Sequence, residues 1–418
     1  MSSVPPAGAL VVPGVDLVAP EHVQDPFALY RRLRDAGPVV WLPEHRAWFL
    51  STYEGVHAAF RDTRTLTSDR LTPLWDRLGD ERRAVLGQTF DLLRGWMVFH
   101  DPPDHERLRD PLRRAFTPKR VEDLRPHVAS LVDSLLDELA DAGEGDLLDH
   151  FAFPLPAIVI AELLGVPPSD RDEFRHWSNQ LAAVVFGASN RADQAVTAAA
   201  GAERFADYFG WLIRKYTDEP EDNLVSALIA VTREDGSGGL TPSELVGACT
   251  LLLFGGHETT TNLIANSAHS LLTNPSAHAW LGAHPEHIGP ALEELHRYDG
   301  STKVMVRIVR EPHERGGQPL EPGQTVFLGV AAANRDPAMF PDPDRLWLER
   351  PDAHKHVGFG YGLHFCLGAP LARLESTIAV GRLVQRFPGL RLGVDPGDLQ
   401  WGATILGRGL QALPVAVR

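Results

Sequence analysis

Phe359-Gly360-Tyr361-Gly362-Leu363-His364-Phe365-Cys366-Leu367-Gly368 runs directly into Ala369-Pro370-Leu371-Ala372-Arg373-Leu374-Glu375. The second stretch reads as a helix opening, with proline in its first turn. Cys366 stands just ahead of it, where free backbone N–H groups and the positive end of the helix dipole stabilise a thiolate. The glycines let the backbone lie flat against a close neighbour. A thiolate at a helix start under a glycine-rich loop suits an iron ligand. Taken alone, these residues leave other readings open. Cys366 could be a buried structural cysteine in a tight turn. His364 and Cys366 could hold zinc, but the only other cysteine, Cys249, lies in an apolar stretch, and a tetrahedral site needs further ligands. Dinucleotide binding fits poorly, since G-x-G-x-x-G needs glycine where Phe365 stands.

Composition narrows the field. Hydrophobic residues make up 44% of the 418, enough for a sizeable core. The formal net charge of −15 argues against nucleic-acid binding, which needs a basic face, but not against a local basic patch for an acidic partner. Two cysteines make a secreted disulfide framework implausible and favour a reducing, cytoplasmic setting. The N-terminus has no basic start and no long apolar stretch, so it is not a signal peptide. Pro154, Pro156 and Glu162 interrupt the apolar segment Phe151–Val166, and Leu245–Gly256 is too short to span a bilayer. A soluble protein without a membrane anchor is expected. Residues 1–20, rich in Pro, Gly and Ala, are expected to be partly disordered, and 21–418 to form a single domain.

Local patterns predict a mainly α protein with small β-sheets. Pro26–Ala36 has a helical pattern, and Val39–Leu50 reads as two short strands around a turn at Glu44–Arg46. Trp41, Trp48 and Phe49 are core candidates. From residue 76 onward helices dominate. Asp101-Pro102-Pro103-Asp104 and Thr117-Pro118 are helix starts. Thr241-Pro242-Ser243-Glu244 is a capping box. The helix it opens has no clear stop before Asn274-Pro275, so it would run about thirty residues and cross the core. Its first half is apolar nearly all round, which means burial. Residues 325–330 read as a strand, and 388–394 as a candidate strand.

The opening loop resembles the haem loop of the cytochrome P-450 family, F-G-x-G-x-H-x-C-x-G, at every fixed position: Phe359, Gly360, Gly362, His364, Cys366 and Gly368. The resemblance implies that fold, with the long helix over a buried haem b. It implies Cys366 as the proximal thiolate of the iron and His364 at a propionate, with Phe359 and Gly368 in the cradle. A thiolate ligand pushes electron density onto iron and favours O–O cleavage.

Three further segments follow in the family's order. Glu294-Leu295-His296-Arg297 puts Glu and Arg on one helical face, a weak signal by itself. With Ala333-Asn334-Arg335-Asp336-Pro337 and Phe340 to Arg345 it resembles the family's helix K and meander. There Glu294, Arg297 and Arg345 would form a buried triad bracing the haem loop; Leu346 departs from the usual Phe. Gly255-Gly256-His257-Glu258-Thr259-Thr260 interrupts the long helix. Two glycines permit a widened groove beside which O2 could lie, or simply a close helix crossing. By resemblance Gly256 lies at the cofactor, Glu258 relays protons, and Thr259 hydrogen-bonds the bound oxygen. His105 and Arg109 share one helical face, and with Arg307 would hold the propionates, arginine's fork matching a carboxylate.

The resemblance also implies a pocket lined by Leu92, Leu93, Trp96, Val98, Val184, Phe186, Leu252, Val304 and Met305. That lining favours a hydrophobic or aromatic small molecule. Lys303 is the exception: it would meet a substrate anion, or turn to solvent or a propionate. The implied reaction is monooxygenation with O2, electrons coming from a separate ferredoxin or flavodoxin and its reductase. Arg113 and Arg114 could dock such a partner or be merely solvated. A monomer is expected. Oxidative coupling or desaturation stays open within the family, and a non-catalytic haem sensor or a zinc protein outside it.

Overall fold

Val39–Leu42 and Ala47–Leu50 form an antiparallel hairpin with Trp41 opposite Trp48, as expected. The strands belong to a computed structural model, which describes residues 8–170, 173, 176–178, 180, 181, 185, 192–236 and 239–417. The backbone divides into two compact units. One comprises Met1–Leu66, Leu124–Leu155 and Thr259–Arg418, the other Thr67–Asp123 and Pro156–Glu258.

In the first unit, Ala47–Leu50 pairs in parallel with Thr325–Gly329, which pairs antiparallel with Val304–Val309. Successive strand side chains point to opposite faces. Accordingly Val39, Trp41, Trp48, Leu50, Val326 and Leu328 fall in one apolar cluster, and Val40, Leu42, Ala47, Phe49 and Phe327 in another. Both faces are covered, which is why these strands read as continuous apolar runs. Val304 joins the second cluster and Val309 the first. Met305 and Arg307 therefore share the Val309 side. Lys303, one residue before the strand, is buried, and its N–H and that of Val304 both donate to the Leu406 carbonyl, at 2.7 and 3.3 Å.

Residues 8–20 differ from the disorder expected of them. The Val12 N–H donates to the Trp41 carbonyl at 3.0 Å, and Val15 and Leu17 are buried. The apolar residues among the prolines and glycines supply the anchor; residues 1–7 lie outside the described residues. Near the C-terminus the expected strand is short, Arg391–Leu392, and pairs with Pro414–Ala416.

The second unit is helical, built from Asp80–Arg94, Asp104–Ala115, Ala192–Asp218, Leu224–Glu234 and the first part of the long helix. The capping box forms as read: the Thr241 N–H donates to Glu244 Oε2 at 2.9 Å, and the Glu244 N–H donates to Thr241 Oγ1 at 3.3 Å. Arg107 grips the same carboxylate at 2.6 and 3.0 Å and holds it down to about 2. The helix runs from Pro242 to Leu272, beginning in the second unit and ending in the first. A Cβ on Gly247 would stand 2.6 Å from the Gly95 Cα, so this is a glycine–glycine crossing.

Candidate active site

Two left-handed glycines shape the Cys366 loop. Gly360 and Gly362 both sit at φ +70°, where a side chain is strained. A Cβ on Gly362 would also come within 3.2 Å of the Phe60 carbonyl oxygen. The Cys366 N–H donates to the Phe359 carbonyl at 2.9 Å, and the Phe365 N–H to the Gly362 carbonyl at 3.0 Å. Asn334 pins the entry, its side-chain oxygen accepting the Val357 N–H at 2.8 Å. Helix Ala369–Arg386 follows at once, so Cys366 stands at its N-terminus, half-buried, with Phe359, His364 and Gly368 half-buried around it.

The brace is present, with one member changed. Arg297 donates to both Glu294 oxygens at 2.6 and 2.9 Å, and to the Asn334 and Pro343 carbonyls. Arg350, not Arg345, closes the triad, its Nε lying 3.1 and 3.2 Å from the same carboxylate. Arg345 is exposed and contributes its carbonyl, which accepts from Arg350 Nη2 at 3.2 Å. The chain turns at Asp342, and only five residues after Arg345 does it bring a guanidinium back inside. Arg350 then takes the Pro341 and Asp342 carbonyls as well. The one local signal was its place two after Leu348, also buried.

A second network was missed. Arg373 donates to the two Glu293 oxygens at 2.7 and 2.9 Å, and His356 Nε2 lies 3.1 Å from Glu293 Oε2. Burial would raise the Glu293 carboxyl, but hydrogen bonds from Arg373 and His356 overcome it and hold the group well below the usual carboxylate range. The Arg373 guanidinium stacks 4.5 Å from the Phe359 ring centroid. His296 packs edge-on against Phe359 at 4.4 Å, and burial keeps it neutral. The loop is thus supported through Phe359 as well as Asn334. The available clue was Arg373, seven residues after Cys366 on the helix it opens.

On the long helix, Leu252, Gly255, Gly256 and Thr259 recur at helical spacing and stay partly or fully open, while Leu253, Phe254 and His257 are buried. A Cβ on Gly255 would meet no atom within 4 Å, whereas one on Gly256 would come within 2.8 Å of Ile160. Burial pushes the Glu258 carboxyl up to about 7. In the first unit Arg307 is buried, donating to the Val306 carbonyl at 2.9 Å. In the second, His105 is fully buried and Arg109 half-buried, one turn apart on Asp104–Ala115.

The expected pocket residues separate. Val98, Leu252 and Met305 are open; Leu92, Leu93, Trp96 and Val304 are enclosed by protein. Trp96 donates to Thr250 Oγ1 at 3.1 Å and packs on Phe99 and Phe254, so it backs a wall and does not face a ligand. Val184 and Phe186 lie outside the described residues. Arg114 is held by Asp235 at 2.6 Å and Glu234 at 3.1 Å, and Arg113 by Asp110 at 2.6 Å. Those neighbouring carboxylates weaken both as docking charges. Among the described residues, no three His, Cys, Asp or Glu side chains are grouped to hold a metal ion, which counts against the zinc alternative.

Residues 290–397 match the family model for cytochrome P-450. The chain is 44% identical over 372 residues to cytochrome P-450 107B1 of Saccharopolyspora erythraea, covering 88% of this chain and 89% of that one. It is 38% identical over 405 residues to the 6-deoxyerythronolide B hydroxylase of the same organism, covering 96% of each. The solved structure of the cytochrome P-450 PksS of the bacillaene polyketide synthase from Bacillus subtilis 168 superposes with a TM-score of 0.85 at 33% identity, covering 96% and 99%. The chain belongs to the cytochrome P-450 family. This cytochrome P-450 is a haem-thiolate monooxygenase, with the mainly α fold of that family. Its residues fit the haem. Glycines keep the loop beside the Cys366 sulfur clear of side chains, which suits a flat ring lying against it. Held by a thiolate, haem iron supplies the activation of O2. Among the described residues, no helix is long and apolar enough to cross a membrane.

Proposed function

We propose that this cytochrome P-450 inserts one oxygen atom into a C–H bond of a largely hydrophobic small molecule of secondary metabolism. The cofactor is haem b, its iron held by Cys366 and its ring lying against Phe359, Gly256 and Gly368. His105, Arg109, Arg307 and His364 meet its propionates. Glu294, Arg297 and Arg350 brace the loop and take no part in the chemistry. Glu258 holds an exchangeable proton, because burial brings its carboxyl to about 7, near the working pH. Thr259 Oγ1, next in the chain and on the open stripe, passes that proton toward the reacting side. Open Val98, Leu252 and Met305 support an apolar substrate.

The half-buried Cys366 at a helix start, in a loop braced from two sides, carries this reading. Electrons come from a separate ferredoxin or flavodoxin with its reductase, and the enzyme works as a cytoplasmic monomer. The test is a ligand screen on the ferric holoenzyme for a spin-state shift, followed by turnover of the hits under isotopically labelled O2. One labelled oxygen in the product supports insertion. A desaturated or coupled product without label would replace it with the other oxidations open to the family.

A further inference from the structure

Two opposite charges stand beside the Cys366 loop. Arg373 is the fifth residue of helix Ala369–Arg386, which starts just after Cys366. At about 1.5 Å per residue it stands roughly 7.5 Å along the helix from Gly368. Its guanidinium lies 4.5 Å from the Phe359 ring centroid. The carbonyl of that same Phe359 accepts the Cys366 N–H at 2.9 Å. Hydrogen bonds to Glu293 hold the guanidinium charged against the effect of burial, and the negative charges of Glu293 and Cys366 add to this. Arg373 and Cys366 thus act on each other electrostatically. Glu293 carries the opposite charge. Arg373 meets its two oxygens at 2.7 and 2.9 Å, and His356 Nε2 lies 3.1 Å from Oε2. The Gly358 N–H donates to His356 Nδ1 at 3.0 Å, which leaves the ring proton on Nε2 for Glu293. The Glu293 side chain is 16% exposed and that of Arg373 38%, so water screens the two charges only in part.

Support of the loop does not by itself call for charge at this place. His296 packs edge-on against Phe359 as a neutral ring, and Asn334 pins the Val357 N–H. Charge matters for a different reason. When ferric iron held by a thiolate takes one electron from its donor, the site gains one negative charge, and no protein bond forms or breaks. A positive charge nearby favours that gain and a negative one opposes it. Arg373 supplies the first, and Glu293 cancels much of it.

We propose that the Glu293–Arg373 pair sets the reduction potential of the iron held by Cys366, Arg373 raising it and Glu293 drawing it back. Neither residue touches the reacting atoms, and both act through Cys366. This rests on the haem-thiolate reading above and names what governs the first electron transfer in it.

The test is a spectroelectrochemical titration of substrate-free holoenzyme at neutral pH, with dithionite as reductant. Glu293→Gln keeps the size of the side chain and leaves the Arg373 charge uncancelled. The ferrous-to-ferric ratio at a fixed potential should then rise at least about three-fold, a shift of about 28 mV at about 59 mV per decade. Arg373→Gln should lower the ratio by at least about the same factor. Arg373→Lys keeps the charge and should stay within about two-fold of wild type, as should the variant carrying both Glu293→Gln and Arg373→Gln. If Arg373→Gln takes up no haem, Arg373→Met serves in its place. A brace without an electrostatic role would move both single variants in the same direction, and that result would overturn the proposal. So would shifts under about two-fold in both, or an Arg373→Lys variant that behaves like Arg373→Gln. Wild-type protein lacking a thiolate-haem spectrum would instead sink the haem-thiolate reading itself.

Discussion

Replacing Arg350 by alanine leaves the Glu294 carboxylate with Arg297 as its one charged partner beside the Trp347 N–H, and strips donors from the carbonyls of Pro341, Asp342 and Arg345. Both Glu294 and Arg350 are buried, so water cannot substitute freely. Removing one partner of a buried ion pair costs about 3–5 kcal/mol. With a urea slope of about 3 kcal/mol per molar, the unfolding midpoint should fall by at least about 1 M. Arg345→Ala removes an exposed side chain whose carbonyl is kept, and should cost less than about 1 kcal/mol. The assay is urea unfolding of the two variants, followed by far-UV dichroism and by haem release. Equal destabilisation by both, or a larger effect from Arg345→Ala, would refute the assignment of the third brace position to Arg350.

Glu258→Gln should slow turnover by about a hundred-fold or more while the substrate-induced spin shift persists. The wild-type rate should fall as pH rises through about 7, because the protonated carboxyl is then lost, and the variant should lack that limb; pH–rate profiles of both decide it. On the long helix, Gly247→Ala would drive a Cβ into the Gly95 backbone and should destabilise the protein by about 1–3 kcal/mol. Gly255→Ala meets open space and should be neutral or stabilising by up to about 1 kcal/mol. Thermal unfolding of the two variants separates them.

Elements set by local rules were legible. The Thr241 box and Asn274-Pro275 bound the long helix, and alternation with tryptophan at Trp41 and Trp48 marked the hairpin. The loop around Cys366 was legible because its glycines, histidine and cysteine stand at short fixed intervals. What depended on the chain returning from afar was not. Glu293 meets Arg373 from 80 positions away, and Asp299 meets Arg408 from 109. Arg345 and Arg350 look equally polar in sequence, and only the turn at Asp342 decides which is buried. Residues 8–20 carry the composition of a loose terminus, yet Val15 and Leu17 find apolar partners on the sheet. Leu93 and Trp96 were correctly apolar, but apolarity does not tell a pocket face from the wall behind it.

The most direct measurement is the spectrum of the reduced, carbon-monoxide-treated protein beside that of Cys366→Ser. Wild type should show the red-shifted Soret band of a thiolate haem, and the variant should lose it while keeping helical dichroism, since the loop is held by backbone bonds and its two ion networks. An unshifted band in the wild type, or a red-shifted one that survives in Cys366→Ser, would contradict Cys366 as the iron ligand.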